Sequence, residues 1–92
     1  MLSKNLSVGQ VVESTSGRDK GRLFFIIKVV DDQYVLISDG KKRKLEQPKL
    51  KKVKHLKRYN VINNEVKNKI VSNENLTDAF LRAQLTKLDL SV

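Results

Sequence analysis

Residues 41–58 hold ten basic side chains and one acidic side chain, Glu46, a net charge of +9 within eighteen residues. The whole chain also carries +9, so the excess positive charge is confined to this segment. A basic stretch so sharply bounded is typical of a surface that neutralises phosphates, most often those of nucleic acid. We predict that the main phosphate contacts come from Lys41, Lys42, Arg43 and Lys44. The predicted surface continues through Lys51, Lys52, Lys54, His55, Lys57 and Arg58.

A second basic group lies in a loop that begins at Gly17 and ends just after Gly21. Glycine at each end suits a tight turn with positive φ angles, and two interpretations follow. In one, the loop is a turn whose charges point into solvent. In the other, its backbone approaches phosphates and its basic side chains form a second edge of the phosphate-binding surface. Those side chains are Arg18, Lys20 and Arg22.

The sequence offers little for catalysis. With one histidine and no cysteine, the parts of a nucleophilic triad or a metal cage are missing. The acidic residues are scattered singly or lie in turns, so no carboxylate pair is convincing. We therefore expect a protein that is not an enzyme and needs no cofactor or metal. His55 lies among lysines, either as a base-stacking or phosphate-contacting residue or as an ordinary strand residue.

The elements that position these residues are centred on one apolar strand, residues 23–30, which is rich in β-branched and aromatic residues. Because it is apolar on both faces, it should be a central strand covered on each side. The other predicted strands are residues 8–14, 33–38, 41–46 and 53–56, of which the last is either a short strand or an extended closing segment. Asp31-Asp32 and Asp39-Gly40 are hairpin turns, and Pro48 ends the fourth strand. Five short strands predict a small closed or nearly closed β-barrel.

The periodicity becomes helical after Tyr59. Ile62, Val66 and Ile70 recur every four residues and predict a short helix, with Asn60 or Asn63 as N-cap. A break follows at residues 71–75. An amphipathic helix is then predicted from Thr77, its N-cap, to about Leu88. Its apolar stripe consists of Leu81, Leu85 and Leu88, with Phe80 beside them.

We therefore divide the chain into a barrel domain over residues 1–58, which begins with a short lead-in over residues 1–7, and a helical extension over residues 59–92. The last helix either covers an exposed face of the barrel or docks a protein partner.

The order of these motifs resembles a known family. The segment Val8-Gly9-Gln10-Val11-Val12, followed by residues 17–23 and then Ile26-Ile27, is similar to the KOW motif of ribosomal proteins and transcription elongation factors. Gly21 matches the characteristic glycine, and Phe24 stands where the general motif has a second glycine. Over residues 7–58 the chain looks closest to small bacterial KOW-domain RNA-binding proteins. These are described as relatives of the archaeal and eukaryotic large-subunit ribosomal proteins that begin with a KOW barrel. The resemblance implies an SH3-like β-barrel, RNA or ribosome binding and no enzymatic activity.

Charge placement and resemblance together predict a monomeric protein that binds ribosomal RNA or the ribosome through phosphate backbone and shape. Replacing Lys42 and Arg43 by glutamate should weaken that binding without unfolding the barrel. Two alternatives remain: a transcription-associated KOW module that contacts RNA polymerase or nascent RNA, and a protein-interaction barrel with an acidic partner. No apolar run reaches about 18 residues, and the N-terminus lacks the apolar core of a signal peptide, so we expect a cytoplasmic protein without membrane contact.

Overall fold

The computed structural model describes residues 6–88, which form five β-strands and two α-helices. Most of the predicted lead-in, residues 1–5, and the end of the predicted helical extension, residues 89–92, lie outside the described part. The strands are β1 (Gln10–Ser14), β2 (Leu23–Val29), β3 (Tyr34–Ser38), β4 (Lys49–Lys52) and β5 (Leu56–Ile62). The helices are α1 (Asn64–Val71) and α2 (Asp78–Thr86), and a single 3₁₀ turn, Val53–His55, separates β4 from β5.

The strands form one antiparallel sheet in the order β4-β3-β2-β1-β5. The apolar strand β2 is its central strand, as predicted. Within residues 6–88 no ladder joins β4 to β5, so the sheet does not close into a complete barrel. The mainly β fold class with a C-terminal helix is confirmed, and the five short strands are compatible with an SH3-like arrangement.

The central strand is buried on both faces because the molecule has two apolar clusters. Val12 and Phe24 lie in the first, which also contains Ile26, Val35, Ile37 and Leu56. Val11 and Phe25 lie in the second, together with Val66 of α1 and Leu81 of α2. Neighbouring residues of a strand point to opposite faces, so the helices cover one face while the sheet curls around the other. This explains why β2 lacks the alternation of a half-exposed strand.

The sheet has two irregularities, and one is filled by a buried side chain. Pairing between β1 and β5 shifts between Gln10 and Val12, whose partners are Ile62 and Arg58. Gln10 is 6% exposed, and its side-chain amide donates to the carbonyl of Tyr59 at 3.1 Å. The amide thus replaces a ladder hydrogen bond that the bulge in β5 removes. A second shift lies between Ile26 and Lys28 of β2.

Thr77 caps α2 as predicted, and Asn63 rather than Asn60 caps α1. Ile62, predicted to belong to the first helix, is the last residue of β5. The side chain of Asn63 accepts a hydrogen bond from the backbone N–H of Val66, and Thr77 accepts one from Phe80. Each satisfies a donor at a helix N-terminus that has no partner within the helix. The apolar stripe of α2 packs on the second cluster of its own chain, as the first of the two interpretations of this helix requires.

The predicted fourth and fifth strands are wrong. Residues 41–46 form a loop, because backbone and side chains of residues 38–43 bond to each other instead of to a neighbouring strand. Pro48 precedes β4, which pairs with β3 from Lys49 onward. Residues 53–55 are a 3₁₀ turn, and the fifth strand begins at Leu56 and continues past Tyr59 to Ile62. The predicted boundary at residue 58 therefore falls inside β5, while the division into barrel and extension stays a prediction.

Neither of the helices in the described residues is long and apolar enough to cross a membrane.

Candidate nucleic-acid interface

The loop of residues 39–47 carries the predicted main RNA contacts, and it has a defined conformation. One carboxylate oxygen of Asp39 accepts hydrogen bonds from the backbone N–H groups of Lys41 and Arg43, each at 2.9 Å. The hydroxyl of Ser38 donates to the carbonyl of Arg43 at 2.6 Å. Asp39 forms an Asx turn, whose local hydrogen bonds take the place of those that a β-ladder would provide. The basic side chains therefore start from a fixed backbone.

Helix α2 holds this loop from the other side. The guanidinium of Arg82 donates to the carbonyl of Gly40 at 2.7 Å. The backbone N–H of Leu45 donates to the carboxylate of Asp78, in the first turn of α2, at 2.8 Å. Gly40 has φ +76°, and a Cβ atom there would run into the backbone carbonyl of Asp78. The helix thus packs on the sheet and also braces the basic loop.

An ion pair joins the two basic loops. Asp19, in the glycine-bounded loop, has a side chain only 3% exposed and lies 2.8 Å from Nη2 of Arg43. The ammonium of Lys51 on β4 donates to the carbonyl of Ser16 at 3.3 Å. These two long-range contacts bring the loop of residues 15–22 to the side of the molecule that carries residues 39–51. That Arg18, Lys20 and Arg22 form a second edge of the surface stays a prediction, and these contacts support it.

The basic loop and the start of β4 enclose a cleft of about 430 Å³. Five basic side chains line it: Lys41, Lys42, Arg43, Lys44 and Lys49. Glu46, Gln47, Pro48 and Leu50 complete the wall. The structure thus brings the four predicted main contacts together around one concavity and adds a fifth cation. Glu46 is the one acidic side chain in this lining, against five basic ones, so the cleft is strongly positive and suits an anionic ligand.

The four predicted main contacts are not equivalent. Lys41, Lys42 and Lys44 are exposed, whereas Arg43 is half-buried and donates from Nε and Nη2 to Asp19. Arg43 therefore has a structural role whether or not it also meets a ligand. Replacing it by glutamate would place a second carboxylate beside the buried one of Asp19. The expectation that a Lys42 and Arg43 double replacement spares the fold no longer has physical support.

The glycine-bounded loop has the backbone that its composition predicts. Gly17 has φ +77° and Gly21 has φ +88°, both in the left-handed region that glycine adopts without strain. Arg18, Lys20 and Arg22 are exposed, while Asp19 between them is buried. The three basic side chains therefore face solvent, while the buried carboxylate of Asp19 anchors the loop.

The rest of the predicted surface is more dispersed. Lys54 is exposed and His55 is half-buried at the end of the 3₁₀ turn, where its carbonyl accepts from the backbone N–H of Thr15. Arg58 does not line the basic cleft. It lines a smaller one of about 250 Å³ with Gln10, Tyr59 and Asn60.

Two further basic side chains of the predicted RNA surface, Lys52 and Lys57, lie over tyrosine rings. Nζ of Lys52 lies 5.7 Å from the ring centre of Tyr34, and Nζ of Lys57 lies 5.1 Å from that of Tyr59. These are cation–π distances, so both ammonium groups already have a partner within the chain.

Tyr59 also pairs with an acidic residue. Its hydroxyl donates to Oε1 of Glu13 at 2.7 Å. This hydrogen bond, followed by desolvation and the negative charge of Glu13, raises the pKa of Tyr59 above its ordinary value. Lys57 opposes the rise with a smaller effect. Tyr59 thus stays protonated as a donor.

Sequence reasoning missed several residues of the cleft. Lys49 lies inside the basic stretch, and its charge was the available signal. Leu50 is 53% exposed on β4, which only the true position of that strand makes visible. The part played by Asp19 depends on Arg43, twenty-four residues away, and no local pattern indicates it. In the part of the chain described by the structure, no group of three His, Asp or Glu side chains could hold a metal ion.

Fold and site together define a small, mainly β protein with a basic cleft beside a glycine-bounded basic loop. No protein-family model matches the chain. The chain is 30% identical over 73 residues to a protein of Bacillus subtilis (strain 168) named "Putative ribosome-binding protein YbzG". The alignment covers 79% of this chain and 99% of that protein. The chain therefore belongs to the family of this small bacterial protein.

Proposed function

We propose that the protein is a non-catalytic, cytoplasmic RNA-binding protein that associates with the ribosome. Its KOW-type module would bind ribosomal RNA through the surface formed by residues 15–22 and 39–49. The observation that carries the proposal is the Asp19–Arg43 ion pair, because it unites two separate basic segments on one side of the molecule. The name of the Bacillus subtilis relative, which refers to ribosome binding, supports the same partner.

Phosphate binding through lysine explains the composition of this surface. Lysine is a compact charge without the planar fork of arginine, and it suits backbone contacts better than bidentate base contacts. Lys41, Lys42 and Lys44 are exposed around a cleft, where field lines of one sign are concentrated. Most of the affinity would then be electrostatic and would fall as salt is added.

The test is sedimentation of the protein with a cell lysate through a sucrose gradient, with and without ribonuclease, at low and moderate salt. We expect the protein to migrate with a ribosomal subunit and to be released by either treatment. Migration with RNA polymerase would favour the transcription-associated alternative. Partner binding that survives ribonuclease would favour an acidic protein. Migration at the top of the gradient in every condition would contradict ribosome association.

Two double variants distinguish binding at the cleft from a general effect of net charge. Lys41→Gln with Lys42→Gln removes two exposed charges at the cleft, and Lys28→Gln with Lys87→Gln removes two exposed charges outside both loops. We expect the first pair to lower the magnitude of the salt slope of RNA binding by about 1.4, at about 0.7 for each of two lost contacts with a single strand. The second pair should leave the slope close to that of the wild type. Equal slopes for the two pairs would mean that the cleft is not the binding site.

A further inference from the structure

The basic cleft contains more than phosphate contacts. Pro48 and Leu50 give it an apolar wall, and Leu50 is one of the large hydrophobic side chains that the core leaves exposed. Its volume of about 430 Å³ falls within the roughly 300–1,000 Å³ of pockets that enclose a small ligand. A continuous duplex would rest across the mouth of such a cleft, whereas a single nucleotide turned out of its stack could enter it.

Glu46 is the feature that phosphate binding does not explain. It lines the cleft among five basic side chains, yet within residues 6–88 it forms no ion pair. The turn that carries it is fixed by a hydrogen bond from the backbone N–H of Gln47 to the carbonyl of Lys44 at 3.0 Å. An ionised carboxylate beside a phosphate site weakens phosphate binding, so its place there suits a ligand that also brings hydrogen-bond donors.

We infer that the cleft binds one unpaired guanine nucleotide of the RNA, with its phosphates on the lysines and its base on Pro48 and Leu50. Guanine is the base whose Watson–Crick edge presents two adjacent donor groups, N1–H and the 2-amino group, which match the two acceptor oxygens of a carboxylate. Adenine and cytosine present one amino group beside an acceptor, and uracil presents one N–H between two acceptors. Glu46 would therefore select guanine. This inference rests on the proposed RNA-binding function and adds a base preference to it.

The walls of the cleft are held in place before a ligand arrives. Asp39 fixes the backbone of the loop, Asp19 holds Arg43, and α2 holds Gly40 and Leu45. A site that needs little ordering on binding loses less of its interaction energy to entropy. The cleft can thus discriminate between bases in spite of the flexible lysines around it.

The experiment compares five RNA hairpins of one sequence by fluorescence anisotropy at a fixed salt concentration. One is fully paired, and four carry a single bulged G, A, C or U. We expect the G bulge to bind roughly fivefold or more tightly than the other four hairpins. Glu46→Gln should bind the other four hairpins somewhat more tightly, because it removes a negative charge. It should bind the G bulge no more tightly, because the contact with the base is lost, and so the preference for G should disappear. Glu74→Gln makes the same change of charge on an exposed residue outside the cleft and should keep that preference.

Leu50→Ser tests the apolar wall. Leu50 is 53% exposed, so the variant should fold, and it should reduce the advantage of the G bulge over the paired hairpin. Tighter binding by Glu46→Gln with the G preference intact would mean that Glu46 only adjusts charge, which would overturn the inference. Equal binding of all five hairpins would overturn it and leave RNA binding standing. Binding of none of them, the result expected for a surface that meets an acidic protein, would overturn both.

Discussion

The guanidinium of Arg43 donates two hydrogen bonds, at 3.0 and 2.8 Å, to a single carboxylate oxygen of Asp19. The other oxygen of Asp19 is buried and has no hydrogen-bond partner in the described residues. The carboxylate therefore depends on Arg43 for its charge compensation. Because the two residues belong to different loops, the ion pair holds both basic segments together, along with the hydrogen bond from Lys51 to Ser16.

Replacing Arg43 by methionine should leave the Asp19 carboxylate buried without a counter-charge. We expect a loss of about 2–3 kcal/mol in the free energy of unfolding. This is less than the roughly 3–5 kcal/mol for a fully buried pair, since the Arg43 side chain is 31% exposed. Lys41→Met is the matched control and should change stability by no more than about 0.5 kcal/mol. Urea denaturation measures both, and equal midpoints would show that the ion pair contributes nothing to stability.

Combining Arg43→Met with Asp19→Asn gives a second test of the Asp19–Arg43 ion pair. An amide at position 19 carries no charge to leave uncompensated, so the double variant should be more stable than Arg43→Met alone. A double variant that loses the sum of the two single losses would mean that the residues act independently.

The elements that local patterns determine were predictable. The strand β2 follows from an apolar run, and α2 follows from Thr77 and a stripe of leucines. Contacts across the chain decided the rest. Asp39-Gly40 is a strong hairpin signal, but the Asp39 carboxylate and α2 hold the following residues as a loop. The helical spacing that begins at Ile62 also concealed the end of β5.

The residues of the site were also only partly predictable, because some of their roles depend on contacts between distant parts of the chain. Confinement of the charge to residues 41–58 was enough to group Lys41, Lys42 and Lys44, which the structure places around one cleft. It could not separate Arg43 from them, because a buried partner twenty-four residues earlier makes the difference. Nor could it find the cleft, since the predicted position of β4 was wrong and the exposure of Leu50 depends on the true position of that strand.

Gly21 and Gly40 allow backbone strain to be separated from steric collision. Both have positive φ, so alanine should cost roughly 1–2 kcal/mol at either position. A Cβ at Gly21 meets open space, whereas one at Gly40 collides with the backbone of Asp78. Gly40→Ala should therefore be less stable than Gly21→Ala by at least about 1 kcal/mol in urea denaturation. Equal losses would mean that α2 does not press on the basic loop.

The tyrosine on β5 gives a prediction for alkaline pH. Because the pKa of Tyr59 is raised in the folded state, its contribution to stability is present below the ordinary value of 10.0. That contribution is lost as the pH rises through the folded pKa. Tyr34→Phe leaves Tyr59 as the only tyrosine, so tyrosinate absorbance can follow it alone. Adding Glu13→Gln should lower the midpoint, since the hydrogen bond and the charge of Glu13 both raise the pKa of Tyr59. An unchanged midpoint would contradict the Tyr59–Glu13 contact.

Asn63 should contribute more to stability than an ordinary helix cap. Its side chain caps α1 through Val66 and also donates to Oε1 of Gln84 on α2 at 2.8 Å. Gln84 is 9% exposed, so losing this donor leaves a buried acceptor unpaired. We expect Asn63→Ala to lose about 2 kcal/mol, against about 1 kcal/mol for Thr77→Ala, which removes only a cap.

Asn63→Ser divides the effect into its two parts. Serine keeps an acceptor for the Val66 N–H but is too short to reach Gln84. The loss from Asn63 to serine, measured by urea denaturation, therefore reports the hydrogen bond between the helices, and the further loss from serine to alanine reports the cap. If Asn63→Ala and Thr77→Ala lose the same free energy, the link to Gln84 adds nothing. If serine is as damaging as alanine, the cap on α1 adds nothing, and the stability of α1 comes from packing Val66 against the sheet.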